Sequence, residues 1–302
     1  MRTSQVKQHS FSPSRIHAFA DTARFAQQLG RAVGASVARV RVHRFPDGES
    51  LVRIRPPAGD CAVLVRSLHD PNGKLVETLL AADALRRAGA RRVILVAPYL
   101  PYMRQDTVFT PGEPISQRVI GGCLGHAFDG VLSVEAHLHR VRHLQDVVPC
   151  QARSLSAAPT LAAWLRRAED RCLLVGPDEE SEPWVRAIAQ EAQALWVVGK
   201  KKRQGDHRVQ IHLPQLPSTA RAIIIDDIAS SGGTLAVAAR ALHRQGVAVV
   251  DALVVHALFA PGALERVRAA GVRTVLSCDT VPHPTNTIHS APLVATALQE
   301  IL

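Results

Sequence analysis

Short apolar runs alternate with amphipathic stretches along the whole chain. Several runs, such as Ile223-Ile224-Ile225, contain no polar residue. Such runs are typical of strands that are buried on both faces, as in a parallel sheet covered by helices. The pattern predicts strands at 38–44, 62–68, 92–97, 130–135, 172–176, 194–198, 222–226, 248–255 and 273–277. It predicts helices at 72–88, 114–127, 183–193, 234–245, 262–270 and 292–302.

This alternation predicts an α/β fold with two domains in tandem, each a mainly parallel sheet flanked by helices. The 302 residues are enough for two domains of ordinary size. The stretch 148–159 contains two prolines and little periodicity, which favours a boundary there. We therefore expect domains at 10–150 and 151–302.

Composition narrows the class of protein. The net charge is +10, but the basic residues are scattered, and only Lys200-Lys201-Lys202-Arg203 forms a run. With 12 aromatic residues there is little to stack on bases, so small anionic ligands are favoured over nucleic acid. No apolar stretch suits a membrane span or a signal peptide, so a cytoplasmic protein is expected. The five cysteines have no spacing typical of a disulfide framework or a zinc site.

Two common phosphate-binding motifs are missing. Neither Gly-Lys pair is followed by Ser or Thr, so there is no P-loop. No two glycines are separated by a single residue, so the GxGxxG fingerprint of dinucleotide-binding domains cannot occur. P-loop kinases and ordinary dinucleotide dehydrogenases are thereby excluded.

The most informative segment runs from the predicted strand at 222–226 into a helix. It reads Asp226-Asp227-Ile228-Ala229-Ser230-Ser231-Gly232-Gly233-Thr234. Small residues at the start of a helix leave backbone N–H groups and hydroxyls available to a phosphate, which the helix dipole also favours. Two carboxylates at the carboxyl end of a strand are suited to the vicinal hydroxyls of a sugar. The segment therefore predicts a site for a ribose phosphate. The alternative is purely structural: the segment would be an ordinary turn with an Asp-rich helix N-cap and would bind no ligand.

This segment resembles the 5-phosphoribosyl 1-diphosphate (PRPP) loop of phosphoribosyltransferases and ribose-phosphate diphosphokinases. Four other segments make the chain similar to the diphosphokinase (PRPP synthetase) family in particular. They are Phe45-Pro46-Asp47-Gly48-Glu49, the stretch from Pro98 to Asp106 followed by Pro114-Ile115-Ser116, His137 at the end of its strand, and Val175-Gly176-Pro177-Asp178. The resemblance runs from about residue 14 to the C-terminus. It implies two phosphoribosyltransferase-like domains and an enzyme that transfers the diphosphoryl group of ATP to ribose 5-phosphate.

The resemblance also assigns roles to residues. ATP would be bound by Phe45, Asp47, Glu49, Arg104 and Gln105, with the first three reaching across a subunit interface in the family. Ribose 5-phosphate would be bound by Asp226, Asp227, Ser230, Ser231, Gly232, Gly233 and Thr234. A metal ion, Mg²⁺, would be held by His137 and Asp178, and catalysis would depend on Lys201 and Arg203. The expected partners are ATP, ribose 5-phosphate and further copies of the chain, as a dimer or a hexamer built from dimers.

Several alternatives stay open at this point. The run Lys200–Arg203 could be a solvated surface segment, and the triple lysine also allows a register shifted by one residue relative to the family. His137, His139 and His143 could suggest zinc, but we expect His137 alone to be a ligand. The chain could also be a phosphoribosyltransferase that uses PRPP, or a noncatalytic regulatory paralogue.

An acidic segment follows Asp178, where the family has small residues. Glu179, Glu180 and Glu182 could face solvent around the start of the helix that Pro183 begins, or one of them could join Asp178 in holding Mg²⁺. We favour the first arrangement, because acidic residues before a helical proline are common.

Overall fold

The computed structural model describes residues 15–167, 172–204 and 208–302. These residues form two compact units. The first contains the described residues up to Leu155 together with Ala291–Leu302, and the second is Ser156–Ser290. Both are α/β units built on a parallel sheet with flanking helices, as the hydrophobic pattern predicts.

The first unit has a six-stranded parallel sheet with the strand order β2-β1-β5-β6-β7-β8 and a separate two-stranded hairpin, β3-β4. The strands are β1 Arg15–Ala18, β2 Ser36–Arg39, β3 Arg41–Arg44, β4 Ser50–Arg53, β5 Cys61–Val65, β6 Arg92–Ala97, β7 Gly130–Val134 and β8 Gln151–Leu155. The helices are α1 Ala23–Val33, α2 Pro71–Arg87 and α3 Ser116–Ala127, and the helix α8 Ala291–Ile301 completes the unit.

Two helix pairs cover the sheet of the first unit. Helices α2 and α3 pack over Leu64, Leu95 and Val131. Helices α1 and α8 contact each other, and α8 also contacts β7 and β8. Because the central strands β5, β6 and β7 are entirely or almost entirely buried, this sheet is a rigid base for the loops at its carboxyl edge.

The second unit has the sheet order β10-β9-β13-β14-β15-β16, again all parallel, and a separate hairpin, β11-β12. Its strands are β9 Leu173–Gly176, β10 Leu195–Val198, β11 Lys200–Gln204, β12 Arg208–His212, β13 Arg221–Ala229, β14 Val249–Ala257, β15 Val272–Cys278 and β16 Asn286–Ile288. Its helices are α4 Ala158–Arg167, α5 Glu182–Ala192, α6 Gly233–Arg244 and α7 Ala263–Ala269. Helices α4 and α5 pack together, as do α6 and α7.

Some elements differ from the sequence predictions. The run at 38–44 is divided between β2, which joins the parallel sheet, and β3, which belongs to the hairpin. The basic segment at 200–203 is a strand of the β11-β12 hairpin. The helix predicted at 292–302 is present as α8, but it packs on the first unit, whereas the sequence placed it in the second domain. The units divide between Leu155 and Ser156, within the stretch 148–159.

Candidate active site

The sheet of the second unit brings three functional segments together. Strands β10, β9 and β13 are neighbours and run parallel, so their carboxyl ends lie at one edge. Asp178 lies two residues after β9, and Lys201 lies three residues after β10. Asp226 lies in β13 beyond the point where β13 pairs with β9. The strand order therefore places a carboxylate, an ammonium group and a second carboxylate at one edge.

Lys201 and Asp178 form an ion pair at this edge. Lys201 Nζ donates to Asp178 Oδ2 at 3.2 Å, and both side chains are about four-fifths buried. Asp178 is itself held by the turn that follows, because Ser181 N–H donates to its Oδ1 at 3.3 Å. Lys201 thus faces the carboxylate edge, and Lys200 is exposed. The side chains of Lys202 and Arg203 lie outside the part that the structure describes.

Asp226 and Asp227 are adjacent, partly buried carboxylates in β13. The Asp227 N–H donates to Asp226 Oδ1 at 3.1 Å. Burial raises the pKa of Asp226 well above its ordinary value, the negative charges of Asp227 and Asp178 raise it further, and Lys201 opposes them. Among the side chains described at this edge, three carboxyl groups face one ammonium group, which favours ligands that bring hydroxyl donors or cations.

The loop between β13 and α6 needs glycine at one position. Gly232 has a φ of 73°, and a Cβ there would lie 2.7 Å from Val267 Cγ2 and 2.9 Å from the Ala263 carbonyl oxygen. A side chain at this position would therefore be strained in its backbone and would collide with its neighbours. The glycine allows the chain to turn tightly into α6, whose first N–H groups have no acceptor within the helix.

Two hydrogen bonds fix the same loop from outside. Ala260 N–H donates to the Ser230 carbonyl at 3.1 Å, and Arg266 Nη1 donates to the Ser231 carbonyl at 2.7 Å. Because these carbonyls are already held, the loop conformation is set before a ligand arrives. The result is a preformed turn at the positive end of a helix, which suits a phosphate group.

The acidic segment after Asp178 faces water. Glu179 and Glu180 lie in a 3-10 turn and are exposed, and Glu182, the first residue of α5, is exposed as well. This is the first of the two arrangements expected from the sequence. Negative side chains at the start of a helix are also favoured by its dipole.

In the first unit, the segment Phe45–Glu49 is the tip of the β3-β4 hairpin. Phe45 N–H donates to the Glu49 carbonyl at 2.8 Å, and Glu49 N–H donates to Asp47 Oδ1 at 3.1 Å. The Phe45 ring is 40% exposed and meets the His43 ring edge-on at 4.8 Å. The tip therefore presents an aromatic face and two exposed carboxylates.

Arg104 and Gln105 lie in the loop after β6. Arg104 is exposed, whereas Gln105 accepts a hydrogen bond from the Ser116 hydroxyl at the start of α3. The next residue, Asp106, pairs with Arg140 at 3.3 Å, which ties this loop to the segment after β7. Sequence reasoning missed this pair, because the two residues are 34 positions apart and no local pattern joins them.

His137 follows β7, and its Nε2 lies 2.5 Å from Nε2 of His139. His143 instead caps the next turn, where its N–H donates to Asp146 Oδ2 at 3.0 Å. Over the described ranges 15–167, 172–204 and 208–302, no group of three or more His, Cys, Asp or Glu side chains is placed to hold a metal ion. The zinc alternative for the three histidines therefore has no support in this part of the chain.

Two family models match the chain. The N-terminal domain of ribose phosphate pyrophosphokinase matches residues 15–127, and the phosphoribosyl transferase domain matches residues 151–292. The ribose-phosphate pyrophosphokinase of Methanopyrus kandleri is 33% identical over 290 residues, covering 95% of this chain and 99% of that relative. The chain belongs to the ribose-phosphate pyrophosphokinase family. The expectation of an enzyme of this family is thus confirmed, and it replaces the phosphoribosyltransferase alternative.

Further comparisons agree with membership of the pyrophosphokinase family. The ribose-phosphate pyrophosphokinase of Thermococcus kodakarensis is 32% identical and covers 87% of this chain and 92% of its own length. The crystal structure of phosphoribosylpyrophosphate synthetase from Mycobacterium smegmatis superimposes with a TM-score of 0.83 at 25% identity, covering 95% of this chain and 98% of that one. Within the described part of the chain, no helix has the length and hydropathy to cross a membrane.

Proposed function

We propose that this chain carries out the reaction of its family, transfer of the diphosphoryl group of ATP to the C1 hydroxyl of ribose 5-phosphate. The products are PRPP and AMP. The observation that carries this proposal is the meeting of Lys201, Asp178 and Asp226 at the sheet edge from which the Ser230–Thr234 loop also begins.

Ribose 5-phosphate binds at this edge of the second unit. The N–H groups at the start of α6, the hydroxyls of Ser230, Ser231 and Thr234, and the backbone at Gly232 and Gly233 bind its phosphate. The carboxyl oxygens of Asp226 and Asp227 accept hydrogen bonds from the ring hydroxyls. The phosphate and the sugar hydroxyls then fix the position of C1.

ATP binds to residues of the first unit. The exposed ring of Phe45 provides a face for the adenine base, and Asp47 and Glu49 accept hydrogen bonds from the nucleoside. Arg104 and Gln105 contact the phosphates, for which an exposed guanidinium is suited. These roles rest on the family's motifs and on the exposure of the hairpin tip.

In the reaction, the C1 oxygen bonds to the β-phosphorus of ATP and loses its proton, and the bond from that phosphorus to the α-phosphate oxygen breaks. Little covalent help from protein is needed, since positioning and neutralisation of phosphoryl charge provide most of the rate enhancement. Lys201 and Arg203 supply the positive charge that neutralises the phosphoryl oxygens. The present Lys201–Asp178 pair keeps the ammonium group at the correct sheet edge before substrates bind.

The donor set is compatible with Mg²⁺. This ion is usually held by one or two carboxylates together with substrate phosphates and water, so a pre-built group of several side chains is not required. Asp178 has the preferred oxygen donor, whereas the imidazole of His137 is a softer ligand whose assignment rests on the resemblance. When bound, Mg²⁺ neutralises charge on the diphosphate.

We also propose that the active form is a homo-oligomer, either a dimer or a hexamer built from dimers. This follows from the family's use of the Phe45–Glu49 segment across a subunit interface. Sedimentation of the purified protein is the direct test, and a monomer with full activity would contradict it.

One assay tests the reaction itself. The purified protein is incubated with ATP, Mg²⁺ and ribose 5-phosphate, and the nucleotides and PRPP are quantified. We expect AMP and PRPP in equal amounts. Formation of ADP, or no product with either ATP or ADP as the donor, would contradict the proposal.

A further inference from the structure

A buried carboxylate in helix α2 is bonded to both ends of the Phe45–Glu49 loop. Glu77 is 1% exposed. Its Oε1 accepts a hydrogen bond from Arg44 Nε at 3.2 Å and another from the Ser50 hydroxyl at 3.0 Å. Arg44 is the residue before the loop, and Ser50 is the residue after it.

These two donors face each other across the hairpin. Arg44 and Ser50 are directly paired in the antiparallel register of β3 and β4. One carboxylate oxygen therefore fixes the final cross-strand pair from which the loop Phe45–Glu49 projects. Movement of either strand at this point would break a charge-assisted hydrogen bond.

The other oxygen of Glu77 is fixed to the core. Arg66 Nη2 donates to Oε2 at 2.5 Å, and the Arg66 side chain is only 5% exposed. Its guanidinium lies 3.8 Å above the ring centre of Phe19, and its Nη1 donates to the Lys74 carbonyl at 3.3 Å. Glu77 thus connects the hairpin to a part of the core that has little freedom to move.

The hairpin needs such a connection. It lies outside the six-stranded sheet, and all four residues of β3 are exposed. A two-stranded hairpin by itself is only marginally stable in water. Val52 and Ile54 pack against the core, but they lie beyond Ser50, on the side away from the tip. Near the tip, the bonds of Glu77 provide the attachment that the structure shows.

We infer that Glu77 is a positioning residue for ATP: it holds the Phe45–Glu49 loop in the geometry that binds the nucleotide. This inference rests on the proposed role of that loop in ATP binding. Glu77 is bonded to the residues on both sides of the loop, Arg44 and Ser50, so its loss weakens ATP binding and leaves ribose 5-phosphate binding unchanged.

The charges around Glu77 favour its ionised form. Burial by itself raises the pKa of Glu77, but the hydrogen bond and charge of Arg66 and the bonds from Ser50 and Arg44 outweigh it and lower that pKa overall. The lowered pKa favours the ionised carboxylate, in which both oxygens accept hydrogen bonds.

The test begins with Ser50, which can be changed without disturbing the core. In Ser50→Ala one of the two bonds to the hairpin is lost, whereas Ser50→Thr keeps the hydroxyl. We expect Ser50→Ala to raise the Kd for ATP about five- to tenfold, with Ser50→Thr close to the parent protein. The Kd for ribose 5-phosphate stays unchanged in both. Arg53→Ala, on the exposed side of β4, is the matched control and leaves both constants unchanged.

Glu77→Gln is the second variant. Its single carbonyl oxygen can accept from the hairpin or from Arg66 but not from both. We expect a larger rise in the Kd for ATP than in Ser50→Ala, and little further effect of Ser50→Ala when the two changes are combined. Additive effects of the two changes would overturn the inference.

Hydrogen exchange separates this inference from the ATP assignment. Ser50→Ala should speed amide exchange at Asp47–Glu49, and unchanged exchange would overturn the inference whatever the loop binds. Phe45→Ala tests the ATP assignment separately. If Phe45→Ala leaves ATP binding unchanged while Ser50→Ala speeds exchange, the proposed ATP site is wrong, and the positioning role for ATP is overturned with it.

Discussion

The ammonium group of Lys201 lies 3.2 Å from Oδ2 of Asp178, although the two residues are 23 positions apart and belong to different segments of the sheet edge. Lys201 is in the hairpin β11-β12, and Asp178 follows β9. The pair shows that Lys201 faces the carboxylates. It also provides a test of the catalytic assignment.

Replacing Lys201 should affect turnover more than binding. We expect Lys201→Ala to lower kcat by about 10²-fold or more while the Kd for ribose 5-phosphate changes little, because a cation that meets developing phosphoryl charge acts mainly in the transition state. Lys200→Ala is the matched control, since Lys200 is exposed and neighbouring residues of a strand point to opposite faces. A near-normal kcat in Lys201→Ala would indicate that the basic run is a surface segment or that a neighbouring lysine has the catalytic role.

Removing a carboxylate from β13 should weaken sugar binding. We expect Asp226→Asn and Asp227→Asn each to cost about 0.5–3 kcal/mol of ribose 5-phosphate binding, because each loses a carboxyl oxygen that accepts from the sugar hydroxyls. Titration calorimetry measures this directly. Asp83→Asn, at an exposed position of α2, serves as the control. Unchanged affinity in both β13 variants would refute the sugar assignment.

Asp226 also links pH to stability. Its pKa is raised in the folded protein, so the folded state holds a proton that the unfolded state has already lost, and stability falls as pH rises between the two pKa values. Asp226→Asn removes this effect. We expect the variant to melt about 2–4 °C higher than the parent at neutral pH, with a smaller difference near pH 4. Calorimetric scans of the ligand-free proteins at several pH values check this, and a lower melting temperature at neutral pH would contradict it.

Replacing the exposed glutamates after Asp178 should leave the Mg²⁺ requirement of the enzyme unchanged. We expect the double variant Glu179→Gln and Glu180→Gln to keep the parent's Mg²⁺ requirement, because both side chains face water. The measurement is activity as a function of Mg²⁺ concentration at fixed ATP. A large rise in the Mg²⁺ requirement would show that this segment belongs to the metal site.

Asp251 should be important for the stability of the second unit. It is 1% exposed and accepts hydrogen bonds from Arg221 and, through two nitrogens, from Arg273. We expect Asp251→Asn to destabilise this unit by about 1–3 kcal/mol, because two partly exposed guanidinium groups lose their charge partner. Urea unfolding followed by tryptophan fluorescence reports on it, since Trp164, Trp184 and Trp196 all lie in this unit.

The loss of stability caused by Asp251→Asn should depend on pH. Burial alone raises the pKa of Asp251, but the hydrogen bonds and charges of Arg273 and Arg221 outweigh it and lower that pKa overall. The stabilisation is therefore complete above the ordinary carboxyl range of about pH 4 and is lost as the pH falls through the lowered value. The difference between the parent and Asp251→Asn should shrink in acid, and a constant difference down to pH 2 would contradict this explanation.

The part of the site that consists of consecutive residues could be predicted from the sequence. The β13 strand and its loop were predictable because an uninterrupted isoleucine run, two carboxylates and a glycine-rich turn follow one another directly. The β11-β12 hairpin was not, because a run of lysines has no apolar alternation to indicate a strand. Strand β1 was missed as well, since four residues are too short for a periodic signal.

Long-range contacts were the other part that the sequence could not give. Glu77 is found in an ordinary helical pattern, and nothing local indicates that its partners Arg44 and Ser50 lie 33 and 27 positions earlier. Likewise, the periodicity at 292–302 predicts a helix, but it does not indicate which sheet that helix covers.

The position of helix α8 affects how the protein can be made. The first unit is built from the beginning of the chain and from Ala291–Leu302, with all of Ser156–Ser290 between them. During synthesis on the ribosome, the surfaces of α1, β7 and β8 that contact α8 stay uncovered until α8 has been made. By then all residues of the second unit have been synthesised. Completion of the first unit therefore comes after synthesis of the second unit, because α8 follows Ser156–Ser290 in the chain.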